Sequence, residues 1–262
     1  MTDNKKTIIL SGSGSGIGKE IAKKLNKKYN LILLSKSEKV LDLRNSLDSC
    51  IDAVECDFSD ISETNLVINN ILKKHNNIFG FINSAGVIGE PGPVENTSYI
   101  DWEKVFNINV ISPIIIANNL IKIFKYQKYG KIIFFGGGGS AYGYPVLPQY
   151  SSSKTAIVRY IENLELEVEQ YENIHALIVA PGAVKTSMFE NVKKLEKEYG
   201  STSKVRSFSE IENVALFIES LLNADIKIIS GRLIHIKDNW LDIINSKSPI
   251  NEELYKLRRV QN

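Results

Sequence analysis

The feature of this sequence that most limits its fold is a regular alternation of short apolar runs with longer segments of helical periodicity. Several of the short runs are apolar at consecutive positions, which is typical of strands buried on both faces of a parallel sheet. They predict strands at Thr7–Leu10, Leu31–Ser35, Ala53–Cys56, Ile78–Asn83, Ile132–Phe135, Ile174–Val179 and Arg232–Ile236. The intervening segments predict helices at Gly16–Tyr29, Glu38–Asp48, Ser62–His75, Asp101–Tyr126, Tyr150–Tyr171 and Ser209–Leu222. The expected fold is α/β, a doubly wound parallel sheet in three layers.

The chain is long enough for one large domain, because 262 residues with 43% hydrophobic content can bury a sizeable core. There is no internal repeat and no low-complexity linker, so residues 1–262 are expected to form a single domain. The charged segment Ser187–Ser207 interrupts the strand–helix alternation. It is either a solvated surface helix or a mobile lid over a substrate site.

Composition excludes several classes of function. The formal charge of +2 is spread evenly, and without a basic stripe we expect no nucleic-acid partner. The N-terminus lacks a signal-peptide pattern, and the apolar stretch 110–124 is interrupted by polar residues, so we expect a cytoplasmic chain with no membrane partner. Cys50 and Cys56 are expected to be free thiols. The three histidines are far apart in sequence, and no metal site is expected.

A glycine-rich loop follows the first predicted strand. Residues 11–18 read S-G-S-G-S-G-I-G and lead into a helix, with glycines spaced as G-x-x-x-G-x-G through Gly12, Gly16 and Gly18. Glycine lets backbone N–H groups approach a pyrophosphate, and the helix N-terminus adds partial positive charge. Because the loop lies between a strand and a helix, we interpret it as a dinucleotide-binding turn that includes Ser15 and Ile17. A plain turn is the alternative.

The end of the second predicted strand bears on the choice of cofactor. An NAD-selective site usually has a carboxylate there, which hydrogen-bonds to the adenosine ribose. This chain has Ser35 and Lys36 instead, with no acid before Glu38. Serine and lysine can donate hydrogen bonds to a 2′-phosphate, which a carboxylate would repel. NADP(H) is therefore favoured over NAD(H). Lys36 is otherwise an ordinary exposed lysine.

Tyr150 and Lys154 open a later predicted helix, about one turn apart on the same face. A free phenol has a pKa near 10 and is a slow acid–base at neutral pH. A nearby ammonium favours the phenolate, so Lys154 is expected to lower the pKa of Tyr150. Alone, the Y-x-x-x-K spacing is weak support for a site, since it also arises by chance.

Together with the glycine loop, this pair resembles the short-chain dehydrogenase/reductase family in its compact form, over nearly the whole chain. The family has an aspartate that contacts adenine where Asp57 stands. Its N-N-A-G turn after the fourth strand corresponds to residues 83–86, with cofactor-binding positions at Asn83, Ala85 and Gly86 and with Ser84 in place of the second asparagine.

The resemblance also implies catalytic roles. Tyr150 would exchange a proton with the substrate oxygen, Lys154 would hold the nicotinamide ribose, and Asn109 would link the proton relay to solvent. Hydride transfer belongs to the cofactor, and the substrate would be a small-molecule carbonyl or alcohol.

Two further features of the family concern the later part of the chain. A segment that closes over the nicotinamide corresponds to Pro181, Gly182, Val184 and Thr186. Family members often pair through their long helices, which implies a homodimer or homotetramer.

One position departs from the family. The catalytic serine usually lies thirteen residues before the tyrosine, and that position here is Gly137. Ser140 is our choice for a substitute. A backbone N–H of the loop is a second alternative, and a cofactor-binding regulator or scaffold with little catalysis is a third.

Overall fold

The computed structural model describes residues 5–199, 208–245 and 250–258, and its strands confirm the expected sheet. The strands are β1 (Thr7–Ser11), β2 (Asn30–Ser35), β3 (Cys50–Glu55), β4 (Ile78–Asn83), β5 (Gly130–Phe135), β6 (Ile174–Ala180), β7 (Ala183–Val184), β8 (Phe208–Ser209) and β9 (Leu233–His235). Seven of them form one parallel sheet in the order β3-β2-β1-β4-β5-β6-β9, and β7 and β8 form a separate small parallel pair.

Helices connect the strands and cover both faces of the sheet. They are α1 (Gly16–Leu25), α2 (Lys39–Asn45), α3 (Ile61–Lys74), α4 (Tyr99–Phe106), α5 (Ser112–Gln127), α6 (Pro148–Val168), α7 (Ser187–Glu198), α8 (Ile211–Asn223) and α9 (Trp240–Asn245). Consecutive strand residues point to opposite faces, and accordingly Ile8 and Ile9 belong to different apolar clusters. The cluster with Ile8 packs under α1 and α8, and the cluster with Ile9 packs under α3, α5 and α6. The three-layer, doubly wound prediction is therefore confirmed.

The strand order fixes where a ligand can bind. From β1 the chain moves outward to β2 and β3, and it then returns to place β4 on the other side of β1. In open α/β sheets, ligands bind outside the carboxyl ends of the strands at this point of reversal. The glycine loop after β1 and the turn after β4 both lie at that edge.

The long helix expected at Asp101–Tyr126 is present as one continuous helical stretch from Tyr99 to Gln127, but its middle is not α-helical. The structure has α4, then a π-helical turn at Asn107–Ile111, then α5 with Pro113 in its first turn. Proline has no N–H to donate within an α-helix, and the wider π-helical turn just before Pro113 accommodates this missing donor. By length and composition the stretch Tyr99–Gln127 is apolar enough to cross a membrane, but Ile116, Leu120 and Phe124 are buried against the sheet, as in a core helix.

The segment Ser187–Ser207 begins as α7, and residues 200–207 lie outside the described residues. β3 begins three residues before the predicted Ala53 and makes Cys50 its first residue. Cys50 and Cys56 are both free thiols, as expected.

Candidate active site

The glycine loop between β1 and α1 depends on the absence of side chains at two positions. Gly12 has φ +70°, and a Cβ there would lie 2.5 Å from the backbone nitrogen of Ala85. A Cβ at Gly18 would lie 2.2 Å from the carbonyl oxygen of Gly12. Such distances require glycine, because backbone atoms cannot move away as a flexible side chain can. The loop is therefore held tightly against the turn that follows β4.

The loop delivers the N-terminus of α1 to a cavity. This cavity has a volume of about 1600 Å³, and Gly12, Ser15, Gly16 and Ile17 line it. Ser15 is the N-cap residue but its side chain makes no capping hydrogen bond, and the first turn of α1 has no acid. The first N–H groups of a helix lack intrahelical partners and attract anions. These features fit a diphosphate.

The ends of β2 and β3 carry the residues expected to choose between NADP(H) and NAD(H). Ser35 lines the cavity, whereas Lys36 and Asp57 lie beside it and form an ion pair with 2.5 Å between Nζ and Oδ2. Burial alone would raise the pKa of Asp57, but the bonds from Lys36 and Ser59 hold that pKa below its usual value. Lys36 keeps 68% of its side chain exposed.

A buried asparagine, Asn83, ends β4, and small residues follow it in the turn. Asn83 is 1% exposed, its Oδ1 accepts a 2.6 Å hydrogen bond from the Ser11 hydroxyl, and its Nδ2 is buried without a partner. Asn83 does not line the cavity, but Ala85 and Gly86 do. Asn83 thus joins β4 to the end of β1, beneath the surface that a cofactor would touch.

Tyr150 and Lys154 lie in the first turns of α6, and both line the same cavity. The Lys154 Nζ is 5.8 Å from the centre of the Tyr150 ring and donates a 2.8 Å hydrogen bond to the Phe135 carbonyl. Burial, with Tyr144 and Tyr142 nearby, raises the pKa of Tyr150 to about 12. The pKa shift of Tyr150 is opposite to the direction expected from Lys154, because removal of the phenol from water is its largest cause. Burial also lowers the pKa of Lys154 to about 8.

Asn109 lies in the π-helical turn and is completely buried. Its Oδ1 accepts from the Val87 N–H, and its Nδ2 donates to the Val87 carbonyl and the Ser153 hydroxyl, each at 2.9 Å. A Cβ at Gly86 would lie 3.4 Å from Asn109 Oδ1 and 3.5 Å from Lys154 Nζ. Asn109 therefore lies next to the Lys154 site and fixes the segment after β4, without lining the cavity.

The loop after β5 shows why glycine stands where the family has serine. A Cβ at Gly137 would lie 2.2 Å from the Tyr150 hydroxyl, so the phenol occupies the space of a side chain there. Ser140 is 1% exposed and closes a tight turn on Gly137, because its N–H donates to the Gly137 carbonyl and its hydroxyl accepts from the Gly137 N–H at 2.9 Å. Ser140 lines the cavity near Tyr150, but its hydroxyl already supports the loop.

The segment after β6 forms the opposite wall. Pro181, Gly182, Val184 and Thr186 all line the cavity, and a Cβ at Gly16 would lie 3.7 Å from the Thr186 methyl carbon. This part of the chain therefore faces the glycine loop, as expected of a segment that covers a cofactor.

The structure brings most predicted residues to one cavity, and the exceptions are Gly18, Lys36, Asp57, Asn83 and Asn109. Helix α7 lines the cavity through residues such as Phe189, which agrees with the lid alternative for Ser187–Ser207, whereas nothing in the sequence indicated the wall from β9 and residues 250–258, with His235, Tyr255 and Leu257 among its members. No motif marks these positions. Among the described residues, no cluster of three potential metal ligands is present.

A glycine turn at the reversal point of a parallel sheet, sharing one cavity with a half-buried tyrosine and a buried lysine, defines a dinucleotide-dependent oxidoreductase. Residues 6–197 match the short chain dehydrogenase family, and the chain belongs to that family. It is therefore an NAD(P)-dependent dehydrogenase or reductase, a class that acts on alcohol and carbonyl groups.

Curated relatives and solved structures agree with this assignment. The chain is 28% identical over 243 residues to the 3-oxoacyl-(acyl-carrier-protein) reductase FabG of Buchnera aphidicola subsp. Baizongia pistaciae, an alignment that covers 90% of this chain and 97% of the relative. It is 24% identical to the levodione reductase of Leifsonia aquatica, covering 88% and 92%. The fold is similar to a crystal structure of levodione reductase, with a TM-score of 0.79, 23% identity, and coverage of 88% and 95%. It is also similar to an NADP-bound structure of ElxO, with a TM-score of 0.77, 24% identity, and coverage of 91% and 99%.

Proposed function

We propose that this protein reduces the carbonyl group of a small molecule at the expense of NADP(H), with Tyr150 as the proton donor. The observation that carries the proposal is the shared cavity, in which the helix N-terminus at Gly16 and the hydroxyl of Tyr150 face the same space. When bound, the nicotinamide supplies the hydride. The residues of the chain bind the cofactor and the substrate, orient them and transfer the proton.

The electrostatics of Tyr150 suit the direction of reduction. A phenol whose pKa is about 12 is protonated at neutral pH, so it is ready to give its proton to an alkoxide that forms as hydride arrives. Lys154 lies within the same site, and an ammonium there stabilises the phenolate left after proton transfer. Asn109 lies beside this pair and bonds to Val87 and to Ser153, the residue before Lys154, and its link to solvent in a relay remains a prediction.

The loop after β5 supplies the second polar group in this proposal. The Ser140 hydroxyl uses its oxygen to accept from the Gly137 N–H, which leaves its own hydrogen to donate to the substrate oxygen. One such preorganised donor typically contributes about a hundredfold to the rate of a reaction that develops oxyanion character. We therefore favour a catalytic protein over a cofactor-binding regulator.

NADP(H) is preferred in this proposal because Ser35 ends β2 and Lys36 follows it, at a position where a carboxylate would repel a 2′-phosphate. The ion pair with Asp57 holds the Lys36 ammonium at this edge of the sheet. Pro181, Gly182, Val184 and Thr186 would cover the nicotinamide end of the cofactor. Helix α7 would act as the lid, because Met188, Phe189 and Val192 line the cavity.

The assembly and location also remain proposals. Tyr99 on α4 is 78% exposed and Tyr126 on α5 is 90% exposed, so the outer face of these helices offers apolar surface for a homodimer or homotetramer. A cytoplasmic location accords with a small-molecule substrate.

The central experiment replaces Tyr150 with phenylalanine. NADPH and NADH are titrated by fluorescence into both proteins, and NADPH consumption is followed with a panel of carbonyl compounds. We expect tighter binding of NADPH than of NADH, binding that Tyr150→Phe leaves largely intact, and turnover that falls by at least about a hundredfold in the variant.

Tyr160→Phe is the matched control, since Tyr160 lies on the same helix and its hydroxyl bonds to Asn118 away from the cavity. Full turnover by Tyr150→Phe would remove this residue from the mechanism. A wild-type protein that binds neither reduced nucleotide would contradict the whole proposal.

A further inference from the structure

The C-terminal segment, residues 250–258, forms part of the cavity wall, although it lies beyond the part of the chain that matches the family. Three of its residues, Tyr255, Lys256 and Leu257, line the cavity that holds Tyr150. Leu257 also borders a second, shallow cavity of about 600 Å³ beside the loop after β5 and the first turns of α6. None of the glycine-loop residues lines that second cavity, so Leu257 lies towards the catalytic residues.

Helix α6 holds the segment by both backbone groups of Leu257. The Leu257 N–H donates to Glu162 Oε1 at 2.7 Å, and the Leu257 carbonyl accepts from Arg159 at 2.8 Å. Glu162 is 5% exposed and also binds Arg159 and Arg258, with 2.5 and 3.1 Å between nitrogen and oxygen. Hydrogen bonds between charged groups are shorter and stronger than those between neutral groups, and here the acceptor is a buried carboxylate. The helix that presents Tyr150 therefore also positions Leu257.

A second anchor comes from β9. Arg232 is 8% exposed, and its guanidinium donates to the carbonyls of Asn251, Glu252 and Leu254. The Leu233 N–H donates to the Tyr255 carbonyl at 2.8 Å. Tyr255 itself has φ +63°, a conformation that costs a non-glycine residue energy and persists only where surrounding bonds fix it.

From this arrangement we infer that Tyr255 and Leu257 determine substrate specificity, by covering the part of the substrate that lies beyond its reacting carbonyl. Arg232 and Glu162 are positioning residues, because they hold the segment without lining the cavity. The cavity exceeds the 300–1,000 Å³ typical of small-molecule sites, which leaves space for a substantial substrate beside a dinucleotide. The inference rests on the proposed function.

The test uses two diketones that present the same reacting group but differ in size, 2,3-butanedione and 9,10-phenanthrenequinone. Anaerobic NADPH consumption is measured for wild type, Tyr255→Ala and Leu257→Ala. We expect kcat/KM for the large quinone to fall about tenfold in each variant, as when one apolar side chain stops covering a ligand, with little change for butanedione. NADPH affinity, measured by fluorescence, should stay unchanged.

Leu254→Ala is the matched control, because Leu254 belongs to the same segment, is 45% exposed and does not line the cavity. Glu162→Ala tests the anchor: it should raise KM for the quinone more than it lowers kcat, whereas general misfolding would lower kcat for both diketones and weaken NADPH binding. An unchanged preference between the diketones in Tyr255→Ala and Leu257→Ala, with wild type active, overturns the inference alone. Wild type that binds NADPH but reduces neither diketone overturns it too, and wild type that fails to bind NADPH overturns the proposed function.

Discussion

At one end of the cavity, Gly12 and Gly18 lie against backbone atoms of neighbouring segments, whereas at the other end Gly137 lies against the hydroxyl of Tyr150. We call the first the cofactor end, formed by Gly12, Ser15, Gly16 and Ile17, and the second the catalytic end, formed by Gly137, Ser140, Tyr150 and Lys154. Backbone contacts allow almost no adjustment, but a side chain can move. The comparison indicates that the cofactor end tolerates amino-acid substitution less well than the catalytic end.

The largest effect is expected at the cofactor end. In Gly12→Ala the new Cβ meets the backbone nitrogen of Ala85 at 2.5 Å, and φ +70° is unfavourable for alanine. The loop must shift away from the turn after β4, and we expect NADPH affinity, measured by fluorescence titration, to fall on the order of a hundredfold.

Gly143→Ala is the matched control, because nothing lies within 4 Å of a Cβ at Gly143. It should bind NADPH like wild type. Equal affinity in Gly12→Ala and Gly143→Ala would show that the glycine loop is not rigid, and the contrast between the two ends would fail.

An intermediate effect is expected at the catalytic end when the family's serine is restored. Gly137→Ser places its Cβ 2.2 Å from the Tyr150 hydroxyl, and the phenol must move. Because a side chain can move more easily than backbone, we expect normal NADPH binding and a kcat about tenfold lower, since proton transfer depends on the position of the phenol. A rise in kcat would instead mean that the loop after β5 moves to make room for the serine, and that Gly137 lowers the activity of the wild-type protein.

These two ends also differ in how much of their structure could be predicted from the sequence. Gly12, Gly16 and Gly18 are adjacent in sequence to a recognisable strand and helix, so residue type alone indicated a backbone turn. The catalytic end is assembled from segments far apart in the chain, and the spacing of Tyr150 and Lys154 indicated a pair but not its surroundings. Burial of Tyr150 is a tertiary property, and for this reason the direction of its pKa shift was predicted wrongly.

The cavity wall from the C-terminal part of the chain had no signal in the sequence. Leu257 and Tyr255 belong to no motif, and the place of their segment depends on the Glu162 carboxylate, 95 residues before Leu257, and on the Arg232 guanidinium, 22 residues before Leu254. The π-helical turn that holds Asn109 interrupts a helix whose periodicity was continuous. The place of the C-terminal wall was decided by long-range contacts that no local pattern shows.

The smallest expected effect is on the pH dependence of the free energy of unfolding, which should differ between the two ends. At the catalytic end, burial lowers the pKa of Lys154 from 10.5 to about 8, so the unfolded state binds more protons between these values. The free energy of unfolding should therefore increase with pH across that window, by up to about 1 kcal/mol per pH unit from this one group. At the cofactor end, Asp57 has a lowered pKa, and its contribution to stability is present at neutral pH and lost only in acid.

Urea unfolding of wild type and Lys154→Met at pH 7, 8, 9 and 9.5 isolates the contribution of Lys154, because all other groups cancel in the difference. Wild type should gain stability relative to the variant as pH rises above 8. Lys131→Met serves as a control for the sign, since burial brings the pKa of Lys131 to about 8 as well and its ammonium caps the end of α8 away from the cavity. A difference between wild type and Lys154→Met that stays constant from pH 7 to 9.5 would mean that Lys154 is not desolvated, and the buried catalytic end would then have to be reconsidered.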